Sequence, residues 1–347
     1  MKPLWKDTLS AIFMGLVLPG LLLNAGAMLL STRAAPAAVA ETTAAETAAE
    51  ETLPPKVSLP VLVRAADGAV TEMDMDTYLV GVVLAEMPAD FEPEALKAQS
   101  VAARTYSRKA YETGGKHGDG SICTDPTCCQ AYLTQEDYLA LGGTPEGLQR
   151  VEQAVAATSG YVLTYEGSLI EATYFSCSGG STEDAVAVWG TDFPYLQSVD
   201  SPGEEKAIHF SDTFSFTPEA FQQALGSELS GPPSGWFRNV TFTRGGGIAS
   251  MEIGGVSYTG VELRSLLGLP STDFTVSATE DAITITTYGY GHRVGMSQYG
   301  ADAMAATGNS FQDILAHYYQ GAELTKLTDS LPAAETPDLL TTANEPD

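Results

Sequence analysis

Residues 75–112, MDTYLVGVVLAEMPADFEPEALKAQSVAARTYSRKAYE, decide how this chain folds. Leu79, Val82, Val83 and Glu86 fall at i, i+3, i+4 and i+7, one stripe of an α-helix, so a carboxylate stands in register with an apolar face. Pro88 disfavours helical geometry at Met87, and the helix is expected to stop just after Glu86. Pro93 then opens a second, alanine-rich helix over 93–112, with Leu96, Gln99, Ala103, Tyr106 and Ala110 on one side and small residues that permit close packing. The spacing therefore predicts two consecutive helices, the first ending on an acid.

Working outward, VSLPVLVRA (57–65) alternates like a strand, and EGLQRVEQAVAAT (146–158) is helical up to Gly160. YVLTY (161–165) and LIEATYFSC (169–177) flank Glu166-Gly167-Ser168 as a hairpin. Strands are expected at 238–244, 248–253, 274–279 and 282–288, with a short helix GVELRSLLG between them, and two closing helices at about 296–306 and 310–319. No internal repeat is present. The fold class is α+β: one large mixed helix/strand body spanning 57–325.

The ends differ from this body. No charge occurs from Thr8 to Thr32, and Leu9–Leu30 is long enough to cross a hydrocarbon core of about 30 Å as a helix. Lys2 and Lys6 precede it, which predicts a cytoplasmic N-terminus (1–8), a transmembrane helix (9–31) and everything after Arg33 exported, a single-pass cell-membrane protein with an extracytoplasmic body. A cleaved signal peptide is the alternative, since APAAVA ending at Ala40 offers small residues in an A-x-A pattern. Residues 32–56, rich in Ala, Thr and Glu, read as a flexible linker, and 326–347 as a disordered acidic tail. The net charge of −27 over 347 residues argues against a nucleic-acid partner, which needs a basic face; acidity also keeps an exported protein soluble.

Four constellations could carry chemistry. Glu86, at the end of an apolar stripe, is partly desolvated, which favours its neutral form and suits a general acid; an ordinary helix-end glutamate reaching solvent is the alternative. YFSCSGGSTEDAVAVWGTDFPYL (174–196) sets hydroxyls and backbone amides beside Trp189 and Tyr195, a combination suited to a sugar, or simply a turn and a core tryptophan. YGYGHRVGMSQYGADAM (288–304) brings glycine backbone near His292, Ser297 and Gln298, and it lacks the lysine of a phosphate-binding loop. HGDGSICTDPTCCQ (117–130) offers His117, Cys123, Cys128 and Cys129, the number and type of a closed tetrahedral zinc site. Disulfides compete there in an exported protein, although a Cys128–Cys129 bridge would be strained and pairing Cys123 with either leaves an odd thiol. A catalytic metal would need an open position, and four protein ligands leave none.

Three of these segments, 78–107, EATYFSCSGGSTEDAVAVWGTDFPYLQSVDSPGE (171–204) and GYGHRVGMSQYGADAMA (289–305), together resemble the SpoIID/LytB family, in the family's order and over most of 57–320. The resemblance implies a lytic transglycosylase acting on peptidoglycan glycan strands during engulfment in sporulation, a catalytic body with a substrate groove. It makes Glu86, in the AEMP motif, the catalytic acid, and His117, Cys123 and Cys129 ligands of a structural zinc, with no organic cofactor. The chain departs from that pattern at Cys128, where relatives carry histidine, and at Cys177, where they usually carry threonine. Tyr174, Ser176, Ser178, Trp189, His292, Ser297 and Gln298 are expected to line the groove, and Arg104 either reaches it or lies on a helix surface. Implied partners are a peptidoglycan amidase and other engulfment membrane proteins. Because relatives have been described as amidase enhancers, a wall-binding module without activity is the rival expectation.

Overall fold

The computed structural model describes residues 57–327. The expected cytoplasmic segment, transmembrane helix and linker lie outside the described residues, as does the expected tail beyond 327. Among the described residues no helix is long and apolar enough to cross a membrane. The architecture is mixed α+β, built around two hydrophobic cores.

The first core begins with a hairpin, β1 (Pro60–Arg64) and β2 (Val70–Asp74). Asp74 caps α1 (Met75–Glu86) by accepting from the Thr77 N–H at 3.1 Å. Met87 is extended (φ −129°, ψ 146°), so Pro88 ends the helix where the sequence predicts, with Glu86 as its last residue. Pro93 starts α2 (Pro93–Thr113), and Gly114, left-handed at φ 88°, closes it. β3 (Ser121–Cys123) adds to β1 in parallel. Two helices, α3 (Gln135–Ala140) and α4 (Pro145–Ala157), precede the hairpin of β4 (Tyr161–Tyr165) and β5 (Ser168–Leu169), after which come β6 (Tyr174–Phe175) and α5 (Ala185–Trp189).

The one-sided stripe expected of α1 differs from what the fold does with it. Met75, Asp76 and every residue from Tyr78 to Leu84 are buried, because α2, α3, α4 and the first hairpin surround the helix. An element apolar on all sides belongs at the centre of a domain. Gly81 makes the tightest of these approaches possible: a Cβ there would meet the Tyr132 ring at 2.4 Å and the Leu133 carbonyl oxygen at 2.6 Å, and the Leu133 N–H donates to the Gly81 carbonyl at 3.0 Å.

The second core is an insertion of two small antiparallel sheets. β7 (Ser211–Phe216) is followed by α6 (Pro218–Leu225), the meander β8 (Phe237–Phe242), β9 (Ile248–Ile253) and β10 (Val256–Thr259), then α7 (Gly260–Leu267), β11 (Asp273–Ala278) and β12 (Ile283–Tyr288). The sheet orders are β11-β12-β7 and β10-β9-β8, and Phe221, Trp236, Leu263, Ile283 and Ile285 pack between them. The chain then returns to the first core with β13 (Met296–Ser297), α8 (Gln298–Ala306), α9 (Phe311–Tyr318) and β14 (Glu323–Lys326), which pairs with β4.

The four strands and three helices expected between 238 and 319 occur within a few residues of their expected bounds. The expected strand 169–177 is instead split. β5 pairs with β4, whereas β6 pairs in parallel with β13 from the far end of the chain, so the two pieces serve different sheets. β2, β3, β7, β10, β14, α3, α5 and α6 have no counterpart among the expected elements. β7 (SDTFSF) does alternate with period two, and Thr217-Pro218 before α6 is an N-cap followed by a first-turn proline, so both carried readable signals.

Arg293 ties the two cores together. It is fully buried, left-handed at φ 63°, and donates to the carbonyls of Ser178 (2.7 Å), Ser181 (2.8 Å) and Gly245 (2.7 Å). It also pairs with Glu183 at 3.4 Å and with Asp273 at 3.1 Å. Glu183 in turn accepts from the Thr243 hydroxyl (2.7 Å) and the Gly247 N–H (3.0 Å) at the β8–β9 tip.

Candidate active site

Glu86 lies at the floor of a cavity of about 740 Å³. The end of α1 presents its carboxylate there, and two N–H donors from distant segments hold it. The Ala131 backbone N–H donates to Oε1 at 2.9 Å, and the Gln298 amide donates to Oε2 at 3.3 Å. Both contacts favour the anion, but burial outweighs them and raises the carboxyl above its ordinary range. No cation pairs with Glu86 among the described residues. A half-buried carboxyl without a counter-ion, its proton affinity raised by burial, suits a general acid.

Ala131 is in position because of Gly81, since the segment 131–133 runs directly against α1. Gln298 is in position because Ser297 caps α8, accepting from the Gly300 N–H at 3.2 Å and donating to the Ser176 carbonyl at 3.4 Å. The turn that delivers β13 needs glycine at 295, where a Cβ would sit 2.1 Å from the Thr173 carbonyl oxygen.

Aromatic rings form one wall. Trp189, 41% exposed at the end of α5, is not a core tryptophan; its ring lies 5.3 Å from that of His292, which in turn meets Phe175 edge-on at 5.6 Å. His292 Nδ1 accepts from the Val294 N–H at 3.1 Å, and burial together with the charges of Arg264 and Lys116 pushes its pKa down to about 4. It is thus a neutral plate at physiological pH rather than a proton carrier. Tyr174 and Ser176 also line the cavity. The Tyr174 hydroxyl accepts from the Gln130 amide at 2.6 Å, and burial and the neighbouring Glu86 keep it protonated.

Three expected groove residues lie elsewhere. Arg104 is a buried strut: it pairs with Asp76 at 3.0 Å, which Ser159 also contacts at 2.6 Å, and it donates to the carbonyls of Val155 and Tyr161 at 3.3 Å. Ser178 is fully buried, its N–H and hydroxyl both committed to Glu204 at 2.5 and 3.0 Å. Ser297 is buried as the α8 cap and does not line the cavity. Cys177 is buried too, its thiol donating to the His209 carbonyl at 3.4 Å, with burial pushing it up to about 12.

The sequence missed Tyr106, Lys116, Gln130 and Glu171, all of which line the cavity. Tyr106 shares its α2 face with Gln99 and Ala103, which was a usable signal. Glu171 is a second carboxylate, held in an ion pair with Lys109 at 2.7 Å.

The Cys/His loop borders the same cavity through Lys116, Cys128 and Cys129. β3 delivers Cys123, and a tight turn delivers the other two thiols, the N–H groups of Cys128 and Cys129 both donating to the Asp125 carbonyl at 3.0 and 2.8 Å. The Lys116 ammonium hydrogen-bonds the Cys128 carbonyl. All four cysteines are free thiols. The ligand atoms of His117, Cys123, Cys128 and Cys129 lie within 4.8 Å of one another, with Cys128 Sγ–Cys129 Sγ at 3.8 Å and His117 Nε2 at 3.9 and 3.7 Å from these sulfurs. A tetrahedron with Zn–S bonds of ~2.3 Å has edges of about 3.8 Å, so this donor set fits a zinc ion.

Comparison with known proteins places the chain in a family. Residues 64–165 match the family model described as SpoIID, stage II sporulation protein. Stage II sporulation protein D of Bacillus subtilis (strain 168) is 41% identical over 278 residues, covering 78% of this chain and 79% of that protein. Its namesake from Bacillus amyloliquefaciens is 40% identical over 275 residues with the same coverage. A protein named amidase enhancer, also from Bacillus subtilis (strain 168), is 31% identical over 302 residues, covering 71% of this chain and 40% of that protein. With such identity over most of its length, the chain belongs to the SpoIID family.

Proposed function

We propose that this protein is a peptidoglycan lytic transglycosylase of sporulation, cleaving the MurNAc–GlcNAc bond of glycan strands with a 1,6-anhydro product. The observation that supports it most is Glu86: a carboxyl raised by burial, unpaired with any cation among the described residues, at the floor of a cavity walled by aromatic rings. In this reaction Glu86 gives its proton to the glycosidic oxygen, and the C1–O bond breaks to leave an oxocarbenium-like centre. The resulting carboxylate, steadied by Ala131 and Gln298, takes the proton of the muramic C6 hydroxyl, whose oxygen closes on C1. One carboxylate suffices because the substrate supplies the nucleophile, whereas ordinary glycosidases use two. Trp189 and His292 offer apolar faces to a sugar ring, and Tyr174 and Ser176 offer hydroxyls.

His117, Cys123, Cys128 and Cys129 would hold a structural zinc, whose chemistry is to close the loop rather than to activate water. The chain acts outside the cytoplasm, anchored by its N-terminal apolar segment, alongside an amidase that strips stem peptides and other engulfment membrane proteins. Its acidity is consistent with a glycan rather than a nucleic-acid ligand.

The test is mass spectrometry of glycan strands, with and without stem peptides, after incubation with the protein. Anhydro-muramic ends that vanish in Glu86→Gln are expected, and their absence from every substrate would sink the proposal. The similarity to an amidase enhancer favours a second function, wall binding without turnover; it predicts unchanged glycan on incubation and retained binding by Glu86→Gln.

A further inference from the structure

Gln130 has no role in the reaction as described above, yet it sits between Cys129 of the metal loop and Ala131, which holds Glu86. It is 2% exposed. Its Oε1 accepts from the Ser107 hydroxyl at 2.9 Å and from the Tyr78 hydroxyl at 3.4 Å, and its Nε2 donates to the Tyr174 hydroxyl at 2.6 Å. Ser107 and Tyr78 are fully buried, so their protons need an acceptor inside the protein, and Gln130 Oε1 serves both. Were the amide turned over, two buried hydroxyl protons would lose their acceptor. The amide nitrogen is therefore committed to Tyr174. An oxygen that accepts from Gln130 cannot also aim its own proton there, and among the described residues nothing else takes that proton. Tyr174 lines the same cavity as Glu86, so a ligand oxygen there is the acceptor this proton lacks within the protein.

We propose that Gln130 is a positioning residue, which turns the Tyr174 hydroxyl so that its proton is donated to an oxygen of the sugar bound over Glu86. The inference rests on the glycan function proposed above and adds the group that fixes one hydrogen bond to that sugar. Tyr174 makes the contact; Gln130 acts through it.

The test measures calorimetric binding of a denuded muramoyl oligosaccharide to the full chain carrying Glu86→Gln, which makes binding readable without turnover. Tyr174→Phe removes the donor, and Gln130→Glu substitutes an acceptor that draws the phenolic proton inward. Each is expected to weaken binding about tenfold, the size of one lost hydrogen bond, and the double variant no more than either alone. A purely structural Gln130 would give multiplicative losses, and that outcome overturns the inference, as does unchanged affinity in Tyr174→Phe. If Gln130→Glu fails to fold, Gln130→Met, of similar volume and without a donor, replaces it under the same criteria. The corresponding variants with Glu86 intact are expected to lose kcat/KM by the same factor. Binding that follows this pattern without any anhydro product from the parent chain sinks the transglycosylase proposal and leaves the role of Gln130 standing.

Discussion

Glu86 and Glu183 are both carboxylates withdrawn from water, one at the floor of the cavity and one at the joint between the two cores. Glu183 faces the guanidinium of Arg293 at 3.4 Å and accepts from Thr243 and Gly247. Glu86 has two neutral N–H donors and no cation. The same contrast holds for the buried Asp76, which is matched by Arg104. A buried carboxylate given a guanidinium forms an ion pair that fastens segments together. One left without a cation keeps its proton to higher pH and can pass it on.

Several measurements can break or sharpen that contrast. The largest effect belongs to Glu86→Gln, which is expected to lower turnover by about 10²–10⁴-fold while leaving the thermal midpoint at or above the parent value near pH 7. The sign follows from linkage: a folded-state carboxyl raised above its unfolded value contributes most stability at low pH and loses it as pH rises through the folded pKa, so the uncharged amide avoids that loss. The same shift places the alkaline limb of kcat/KM above the ordinary carboxylate range. His292, pushed down to about 4, contributes no limb near pH 6–7. A limb at that pH that disappears in His292→Gln would reassign the proton carrier.

Arg293→Leu strands Glu183 and should destabilise the fold by about 3–5 kcal/mol in denaturant titration, the cost of breaking a buried pair from one side. A loss below about 1 kcal/mol would remove the distinction between the two carboxylates. Chelation of a zinc-loaded sample is expected to lower the thermal midpoint first and turnover only through unfolding; lost turnover in a still-folded protein would place the metal in the chemistry. Trp189→Ala should raise KM about tenfold with little change in kcat, since it removes ring-face contact common to ground and transition states.

The smallest effect is at Asp273, raised to about 6 chiefly by burial, in spite of the nearby Arg293. Its contribution to stability is fully present below about pH 4 and is lost as pH rises through about 6. Asp273→Asn should flatten stability between those values, and an unchanged slope would show that the joint does not titrate.

Much of the fold was legible because its signals are local. Pro88 and Pro93 restrict their neighbours directly, and the period-two runs that become β11 and β12 need no partner to be recognised. Glu86 was legible for the same reason, as the last residue of an apolar helix. The groove was less so. Ser178 and Arg104 look like ligand-binding groups in one dimension, and only their buried partners, Glu204 and Asp76, reveal them as internal supports. Gln130 and Glu171 stand at the ends of the stretches 117–130 and 171–204, whose cysteines, hydroxyls and aromatics carry the local signal, and only the fold brings the two to the cavity.

By itself, then, the sequence determined many of the helices and strands, that an acid ends the first helix, and that three thiols and an imidazole lie within one loop. Tertiary structure alone decided what surrounds that acid. Ala131 and Gln298 come to Glu86 across 45 and 212 residues, and β6 meets β13 only after the whole second core has been traversed. The proton affinity of a carboxyl depends on the water, dipoles and charges within a few ångströms, and those neighbours follow from how distant segments pack rather than from the residues on either side of it in the chain.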